Sequence, residues 1–519
     1  MTTDFRQGGW VDGVAHGHGR FVLRNASGRW QVRARDGDEE VADRINALRR
    51  ETVVEVKGRS VVGSLPEVVC GQLTVLNRPR RLPFAPERSS EAPRGARAKY
   101  RYLDLRQDRR RELLVSRHLV VDRLWRFYAD RGFVSVDTPV LSFPSGSGAE
   151  QFAVLNRRTG EVAYELPQSP QIYGQLLTCA GIERYFQFAH CFRNEDLRAN
   201  RQPEFVQLNL EMAFADAEEL MALVEASLNE AYSSVGAGPL KPFEQLTSGA
   251  ATAAFGTDLP DIRYRVDLEE VGSAEKVVGD HPSRIVTRLP RGPRLTPPQW
   301  KQAISEAEQH GYALATLLGD RGAPIAVDAM SRRARAIRGA VWAGTGDPRH
   351  VHRALYRQAV KHPVEERNRF VWIVDFPLFT ENGSTAVDPY TSILVAPQSV
   401  TGLMRARSHQ DLIAQKGRSF DLVVDGEEVA TGSVLNHLRD VQARIFRHVG
   451  IEGTDLRRFK FLLDCLDCGA PPIVGLGLGV DRLVALMCGA EGIRDVIAFP
   501  KSRSGRCPIT WREGPTSTT

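Results

Sequence analysis

Residues 192–211, FRNEDLRANRQPEFVQLNLE, place a guanidinium, carboxylates, amides and an aromatic ring at alternating positions. Arg193 and Glu195 follow an apolar run, Tyr185 to Phe192, that predicts a strand, and strand alternation puts both on one face. A polar loop over 196–202 leads to a second run. There Phe205, Gln207, Asn209 and Glu211 alternate with Val206, Leu208, Leu210 and Met212. The pattern predicts a long-looped antiparallel hairpin with one polar face. An arginine fork matches phosphate oxygens and a Phe ring stacks a purine. Two further carboxylates, Asp421 and Glu428, flank a turn at Asp425-Gly426 in FDLVVDGEEVATGS. A hairpin there brings them together, and hard carboxylate oxygens suit Mg²⁺ held against phosphates. In 475–482, GLGLGVDR, glycines let a strand approach a ligand closely before Asp481-Arg482 opens a helix.

The elements that must position these residues follow from the rest of the chain. At 519 residues, two to four domains are expected. Apolar residues at 42% and charged residues at 25% are ordinary for a soluble protein. No run approaches a membrane span, and MTTDFRQGG has no apolar signal core. Seven scattered Cys point to reduced thiols and a cytoplasmic location. Cys465 and Cys468 form one C-x-x-C without a second pair, so helix packing is expected there rather than zinc. The net charge of +6 (69 basic against 63 acidic residues) permits an anionic partner without establishing one.

Residues 1–82 carry five short strand-like runs with a helical stretch, Glu40 to Arg50, between the third and fourth. Five strands and one helix predict an OB-fold barrel. Residues 83–99, rich in Pro, Ser and Arg, read as a linker. Residues 111–131 have Leu114, Leu119, Val120, Leu124 and Phe127 at helical spacing, ended by Gly132 and followed by the strand-like FVSVDTPVL. Residues 286–319 fit one strand, a Pro stop, a helix from Pro297 to Gly311 and another strand. FVWIVDFPLF at 370–379 reads as a buried strand.

FRNEDLRANRQPEF closely resembles motif 2 of the class II aminoacyl-tRNA synthetases in its aspartyl form. GLGLGVDRLVALMCGAEGIRDVIAFPK resembles motif 3, the 111–140 helix and strand resemble motif 1, and PQSPQ resembles the amino-acid-binding segment. The resemblance implies an α+β chain. It comprises an N-terminal OB-fold β-barrel similar to an anticodon-binding domain (1–82), a linker (83–99), and an antiparallel-sheet catalytic domain in two parts (100–264 and 366–519). A reduced α/β insertion domain (265–365) separates those parts, and no chemistry is assigned to it. It also implies a homodimer joined through motif 1. The reaction implied is attack of a carboxylate on the α-phosphate of ATP, giving an acyl-adenylate and pyrophosphate, with later transfer to an acceptor. Such chemistry rests on positioning and charge stabilisation rather than on a protein nucleophile. By resemblance Arg193 meets the α-phosphate, and Glu195 and Gln202 lie near the adenine and ribose edge. Phe205 and Arg482 sandwich the adenine, Arg482 reaches the γ-phosphate, and Asp421 and Glu428 hold Mg²⁺.

The acid pocket departs from the aspartyl pattern. Ser169 and Gln171 remain. Gly174 stands for a Lys, Leu435 for an Arg, Val387 and Asp388 for paired His, Asn209 for an Asp, Ser147 for a Glu, and Ile473 with Val474 for His-Gly. Two cations expected to face a carboxylate are gone, and an unpaired buried carboxylate costs roughly 3–5 kcal/mol. The expected substrate is therefore a carboxylic or amino acid other than L-aspartate, with Gly174 opening volume. An ordinary aspartate–tRNA ligase and a non-catalytic paralogue are the alternatives. The loop VDGVAHGHG after GW lacks cations, Arg20 stands near the position of a base-stacking aromatic with Phe21 beside it, and anticodon-dependent tRNA binding is expected to be weak.

Overall fold

The computed structural model describes residues 2–15, 18–61, 66–142, 150–195, 200–265, 267–271, 284–289, 295–319, 324–327, 330, 337–344, 347–362, 366–379, 411, 416–448, 450–502 and 504–510. Two compact units are formed, Met1–Asp104 and Leu105–Thr519.

The first unit contains β1 (Thr2–Ala15), β2 (Arg20–Asn25), β3 (Gly28–Ala34), α1 (Glu39–Asn46), β4 (Val53–Val61) and β5 (Glu67–Asn77). Asp38 caps α1 by accepting from the Val41 amide, and Val41 and Ile45 turn inward one helical turn apart. The strands pair in the cyclic order β1-β2-β3-β5-β4-β1 around a core that includes Val11, Leu23, Val54, Val56 and Val68. The five strands and one helix expected there are present, and the ring of strands closes through a short seam. The β3–β5 seam is parallel and only four pairs long, Gln31↔Glu67 to Ala34↔Cys70. Alternation along β2 leaves Arg20 exposed and buries Phe21 in the core, so the Phe21 ring is spent on packing.

The second unit begins with α2 (Asp108–Ala129) and β6 (Val134–Ser135). A small hairpin, β7 (Ala153–Leu155) with β8 (Val162–Glu165), leads to α3 (Gln171–Cys179), β9 (Arg184–Phe192), β10 (Glu204–Ala213), α4 (Ala217–Ser234), β11 (Glu244–Thr247) and α5 (Ser248–Phe255). The intervening segment holds β12 (Asp267–Val271), β13 (Arg284–Arg288), α6 (Pro297–Glu308), β14 (Tyr312–Leu318), β15 (Pro324–Ile325), β16 (Gly339–Gly344) and α7 (Arg349–Ala359). The chain returns through β17 (Phe370–Val374), β18 (Ser419–Val424), β19 (Glu427–Leu435), α8 (Arg439–His448), α9 (Lys460–Asp467), β20 (Ile473–Gly479) and α10 (Val480–Met487).

The main sheet has eight strands in the order β11-β17-β18-β19-β20-β10-β9-β6. Its interior is antiparallel, but both edge strands are parallel to their neighbours, β11 to β17 and β6 to β9. One face is covered by α2 and α4. Val120, Leu124 and Phe127 from α2 and Leu220, Val224 and Leu228 from α4 pack on Leu208, Leu210, Leu476 and Leu478 of the sheet. Each such side chain contributes roughly 1.5–3 kcal/mol by burial. On α2 the buried set is Leu113, Val120, Leu124, Phe127 and Tyr128; Val115, Leu119 and Trp125 remain exposed, as do Val134, Val140 and Leu141 beyond it.

The insertion over 265–365 holds the strand, the helix starting at Pro297 and the following strand that the sequence predicts, set within an antiparallel five-stranded sheet of order β12-β13-β16-β14-β15. Helix α6 starts at Pro297 behind a Thr296–Gln299 capping box and buries Trp300 against the same core as Tyr312 and Trp342. β12, β15 and β16 are short, and no strong alternation announces them.

Candidate active site

The sheet face opposite α2 and α4 is polar because β10 alternates strictly. Leu208 and Leu210 go into the core, which leaves Phe205, Gln207, Asn209 and Glu211 on the other side. β9 pairs with β10 as Phe205↔Cys191, Gln207↔Ala189, Asn209↔Gln187 and Glu211↔Tyr185. β20 pairs on the other side as Gln207↔Gly479, Asn209↔Gly477 and Glu211↔Gly475. The hairpin expected from 185–212 is thus present, with its polar face forming the floor of a groove.

At one end of this floor lies a cavity of about 510 Å³ whose lining includes Arg193, Glu195, Gln202, Phe205, Glu428 and Arg482. The Arg193 guanidinium stands 5.2 Å from the centre of the Phe205 ring, and its buried Nε has no hydrogen-bond partner. Its backbone N–H donates a hydrogen bond of 3.0 Å to the Pro203 carbonyl. Glu195 accepts from Arg201 at 2.5 Å. Gln202 is buried with its amide engaged. Its Oε1 accepts from the Lys501 amide at 2.7 Å, and its Nε2 donates to the Lys501 carbonyl at 3.4 Å. Arg482, on the first turn of α10, donates to the Glu428 backbone carbonyl and stands 3.9 Å from the Glu428 carboxylate and 4.0 Å from that of Glu427.

The β18–β19 hairpin turns at Asp425, which takes positive φ, and Gly426. A register shift between Leu422 and Val423 accompanies the approach of Asp421 and Glu428. Burial, then the Glu428 charge, hold the Asp421 carboxyl well above the usual carboxylate range, while the Thr431 hydroxyl partly offsets this. Two mutually repelling carboxylates, one of them lining the cavity, are a chemically fitting donor pair for a divalent cation that phosphate oxygens would complete. Among the described residues no group of three or more His, Cys, Asp or Glu is arranged to hold a metal by itself.

Asp481 was not assigned a role from sequence. It accepts from the Val206 amide at 2.9 Å and from Arg117 Nη2 at 3.0 Å and Nε at 3.2 Å. It thereby fastens β10 and α2 to the helix that carries Arg482. Its position beside Arg482 was visible in sequence, but its partners, hundreds of residues away, were not.

At the other end of the floor are the acid-pocket positions. Ser169 accepts from the Gln171 amide at 3.2 Å, setting the turn into α3. Leu435 and Ile473 are cross-strand partners on β19 and β20, and both are buried. Asn209 is 2% exposed and Glu211 is 0% exposed; Asn209 Oδ1 and Glu211 Oε1 have no hydrogen-bond partner. Burial pushes the Glu211 carboxyl well above its ordinary range, with the Thr178 hydroxyl, 3.4 Å from Oε2, opposing.

Gly174 opens no volume, contrary to the sequence-based expectation. A Cβ at Gly174 would lie 2.3 Å from Glu211 Oε1 and 2.9 Å from Tyr185 Cε1. The glycines of β20 serve the same purpose. A Cβ at Gly477 would meet Gln207 Nε2 at 1.8 Å, and one at Gly475 would meet Glu211 Cγ at 3.2 Å. They make room for side chains of β10. Ser147, Val387 and Asp388 lie outside the described residues.

With this geometry in view, the comparisons with known proteins take on meaning. The family of tRNA synthetases class II (D, K and N) matches residues 94–503. The aspartate--tRNA(Asp/Asn) ligase of Mycobacterium sp. (strain JLS) is 35% identical over 559 aligned positions, covering 98% of this chain and 93% of that protein. The ligases of the same name from Beutenbergia cavernae and Persephonella marina are 34% and 32% identical, covering 98% and 97% of this chain and 92% and 91% of theirs. A crystal structure of asparaginyl-tRNA synthetase from Pyrococcus horikoshii with asparaginyl-adenylate superposes with a TM-score of 0.63 over 96% of this chain and 95% of that one. Its sequence identity of 17% makes this a likeness of fold. These relatives overturn the expectation of a diverged acid substrate, which had rested in part on the space assigned to Gly174. The motif residues gathered on one sheet face and a match across 410 residues lead to the same place: this chain is an ATP-dependent, acyl-adenylate-forming ligase and belongs to the class II tRNA synthetases of the D, K and N group.

Proposed function

We propose that this chain is an aspartate–tRNA ligase, activating L-aspartate with ATP and transferring the aspartyl group to tRNA. The observation that carries the reading is end-to-end similarity to proteins named aspartate--tRNA(Asp/Asn) ligase, with coverage of 97% or more of the chain. The cavity at the Arg193–Phe205 end supports it, since it joins an arginine, an aromatic ring and the Glu428 carboxylate. Arg193 meets the α-phosphate, the adenine lies between Phe205 and Arg482, and Asp421 with Glu428 holds Mg²⁺ against the phosphates. Mg²⁺ supplies neutralisation of phosphate charge as the adenylate forms. The α-ammonium of the amino acid is accepted by Asn209 Oδ1, one of the two unpartnered acceptors on the floor. The exposed apolar side chains of α2 and of the segment after it, including Leu119, Trp125, Val140 and Leu141, support a homodimer through this face.

The test is ATP–pyrophosphate exchange with L-aspartate against a panel of amino acids, followed by aminoacylation of aspartate and asparagine tRNAs. Exchange with L-aspartate at a micromolar to millimolar KM is expected. Exchange with another acid and silence with L-aspartate would refute the reading.

A further inference from the structure

The turn that carries Glu427 and Glu428 is held from outside the cavity. At its tip Asp425 keeps a left-handed backbone, φ 53°, which Asp tolerates better than most L-residues. Its carboxylate accepts from the Asn368 amide at 2.9 Å and the Arg369 amide at 3.0 Å, and forms an ion pair with Arg263 Nη1 at 3.1 Å. The Arg263 side chain is 15% exposed, and all three of its nitrogens are engaged. Nε and Nη2 grip the two oxygens of Asp261 at 2.8 and 2.6 Å, and Nη1 also donates to the Glu366 carbonyl at 3.1 Å. The Asp261 amide donates to the Tyr356 hydroxyl at 2.9 Å. Tyr356 belongs to α7 of the insertion and packs edge-on against Phe255 of α5, ring centres 4.9 Å apart.

Asp261 also presses on the turn, since a Cβ at Gly426 would lie 3.3 Å from Asp261 Cβ. On the opposite side of the same turn, Gly426, Glu427 and Glu428 line the nucleotide cavity together with Leu259, and the Glu428 carbonyl holds Arg482. Residues 259–263 thus reach the cavity at one end and the back of the turn at the other.

We propose that Arg263 is a positioning residue for adenylate formation: by clamping Asp425 it sets where Glu428 and Arg482 stand, and through Tyr356 the insertion becomes part of the clamp. The proposal rests on the reading of this cavity as the ATP–Mg²⁺ site. A lysine cannot do the same work, because one ammonium cannot grip both oxygens of Asp261 and still reach Asp425. Without Arg263 the turn itself persists. Asp425 keeps its two amide donors, and the β18–β19 ladder from Ser419↔Ser433 to Val424↔Glu427 does not involve the clamp. What is lost is the hold on the tip, so placement suffers more than folding. The amino-acid positions Leu435 and Ile473 lie at the far end of β19 and are left alone.

The experiment measures ATP–Mg²⁺ affinity of the full chain by isothermal titration calorimetry, and then KM for ATP and for L-aspartate in pyrophosphate exchange. Arg263→Ala and Arg263→Lys should weaken ATP–Mg²⁺ binding by about tenfold, a misplacement remote from the reacting atoms costing up to about 10²-fold, with KM for L-aspartate little changed. Tyr356→Phe strands the Asp261 amide and should weaken binding by about threefold. Asp425→Gly accepts the left-handed backbone and removes the carboxylate, so Arg263→Ala should add little to it. Tyr128→Phe removes a buried hydrogen bond to Ser227 on the other face of the sheet and should leave ATP affinity unchanged. Parent-like affinity in Arg263→Ala, an equal loss in Tyr128→Phe, or additive losses from Arg263→Ala and Asp425→Gly would each overturn the proposal. Where Arg263→Ala does not fold, Arg263→Lys and Asp425→Gly give the same comparison. Arg482→Ala is the control on the cavity: if it binds ATP as the parent does, the nucleotide lies elsewhere and the proposal falls with that reading. Calorimetry needs no amino acid, so a failed aspartate assay does not touch its result.

Discussion

Gly174 offers a quantitative test of why the amino-acid end of the site looks as it does. It lies inside α3 at a negative φ, so helix geometry gives no reason for glycine there. Replacing Gly by Ala inside a helix stabilises by about 1 kcal/mol. Here the new Cβ would sit 2.3 Å from Glu211 Oε1, 2.7 Å from its Cδ and 2.9 Å from Tyr185 Cε1. Neither neighbour is free to retreat. Glu211 is fully buried, and the Tyr185 hydroxyl donates to Gln187 Oε1 at 2.7 Å. Overpacking of this kind costs about 1–3 kcal/mol. Gly174→Ala should therefore destabilise by about 0–2 kcal/mol, the difference between the two effects. In a Glu211→Ala background the main clash is gone, and the same substitution should stabilise by up to about 1 kcal/mol. The sign reversal is a coupling of about 1–3 kcal/mol between two contacting positions. Differential scanning calorimetry of the parent, both single variants and the double variant reads it as opposite shifts in Tm. A rise in Tm for Gly174→Ala in the parent background, or additive shifts, refutes the reasoning.

Arg193→Ala removes a charge-assisted contact to the reacting phosphate, and pyrophosphate exchange should fall by about 10²–10³-fold with Tm little changed; normal exchange would remove Arg193 from the chemistry. Glu211→Gln should flatten the dependence of stability on pH. The folded state keeps the Glu211 proton where the unfolded chain has lost it, so stability falls as pH rises from about 4.3 toward the raised folded value. The variant should accordingly gain in Tm relative to the parent as pH rises above about 4.3, and parallel Tm–pH curves would count against a raised Glu211 carboxyl. Asp481→Ala strands Arg117 and the Val206 amide together; a loss of about 1–3 kcal/mol and a raised KM for ATP are expected, and an unchanged KM would show that the brace does not position Arg482. Glu428→Gln should raise the Mg²⁺ concentration needed for half-maximal exchange, and an unaltered Mg²⁺ titration would exclude it as a ligand.

The nucleotide end of the site was readable because its signal is local. Seven residues of β10, Val206 to Met212, alternate apolar and polar without a break, so Gln207, Asn209 and Glu211 had to share a face, with Phe205 in phase before them. The amino-acid end was misread for a physical reason. Whether Gly174 leaves a hole depends on Glu211, 37 positions later and two helical or strand elements away, and one-dimensional spacing carries no such volume. The same limit hid the braces made by Asp481. Parallel pairings, β3 with β5 and β6 with β9, were equally silent, since alternation specifies a face and says nothing of strand direction.

The bare backbone of β20 bears on how this site can change. Gly475 and Gly477 have no side chain to contribute, and the space beside them is already taken by Gln207 and Glu211. A side chain at 477 must displace the Gln207 amide, and one at 475 must press on the fully buried Glu211, before either touches a substrate. Variation that redirects specificity must therefore enter through β10, α3 or the far end of β19. Saturation libraries should return functional variants from those elements and almost none from 475 and 477, which makes β20 a fixed template against which the rest of the pocket evolves.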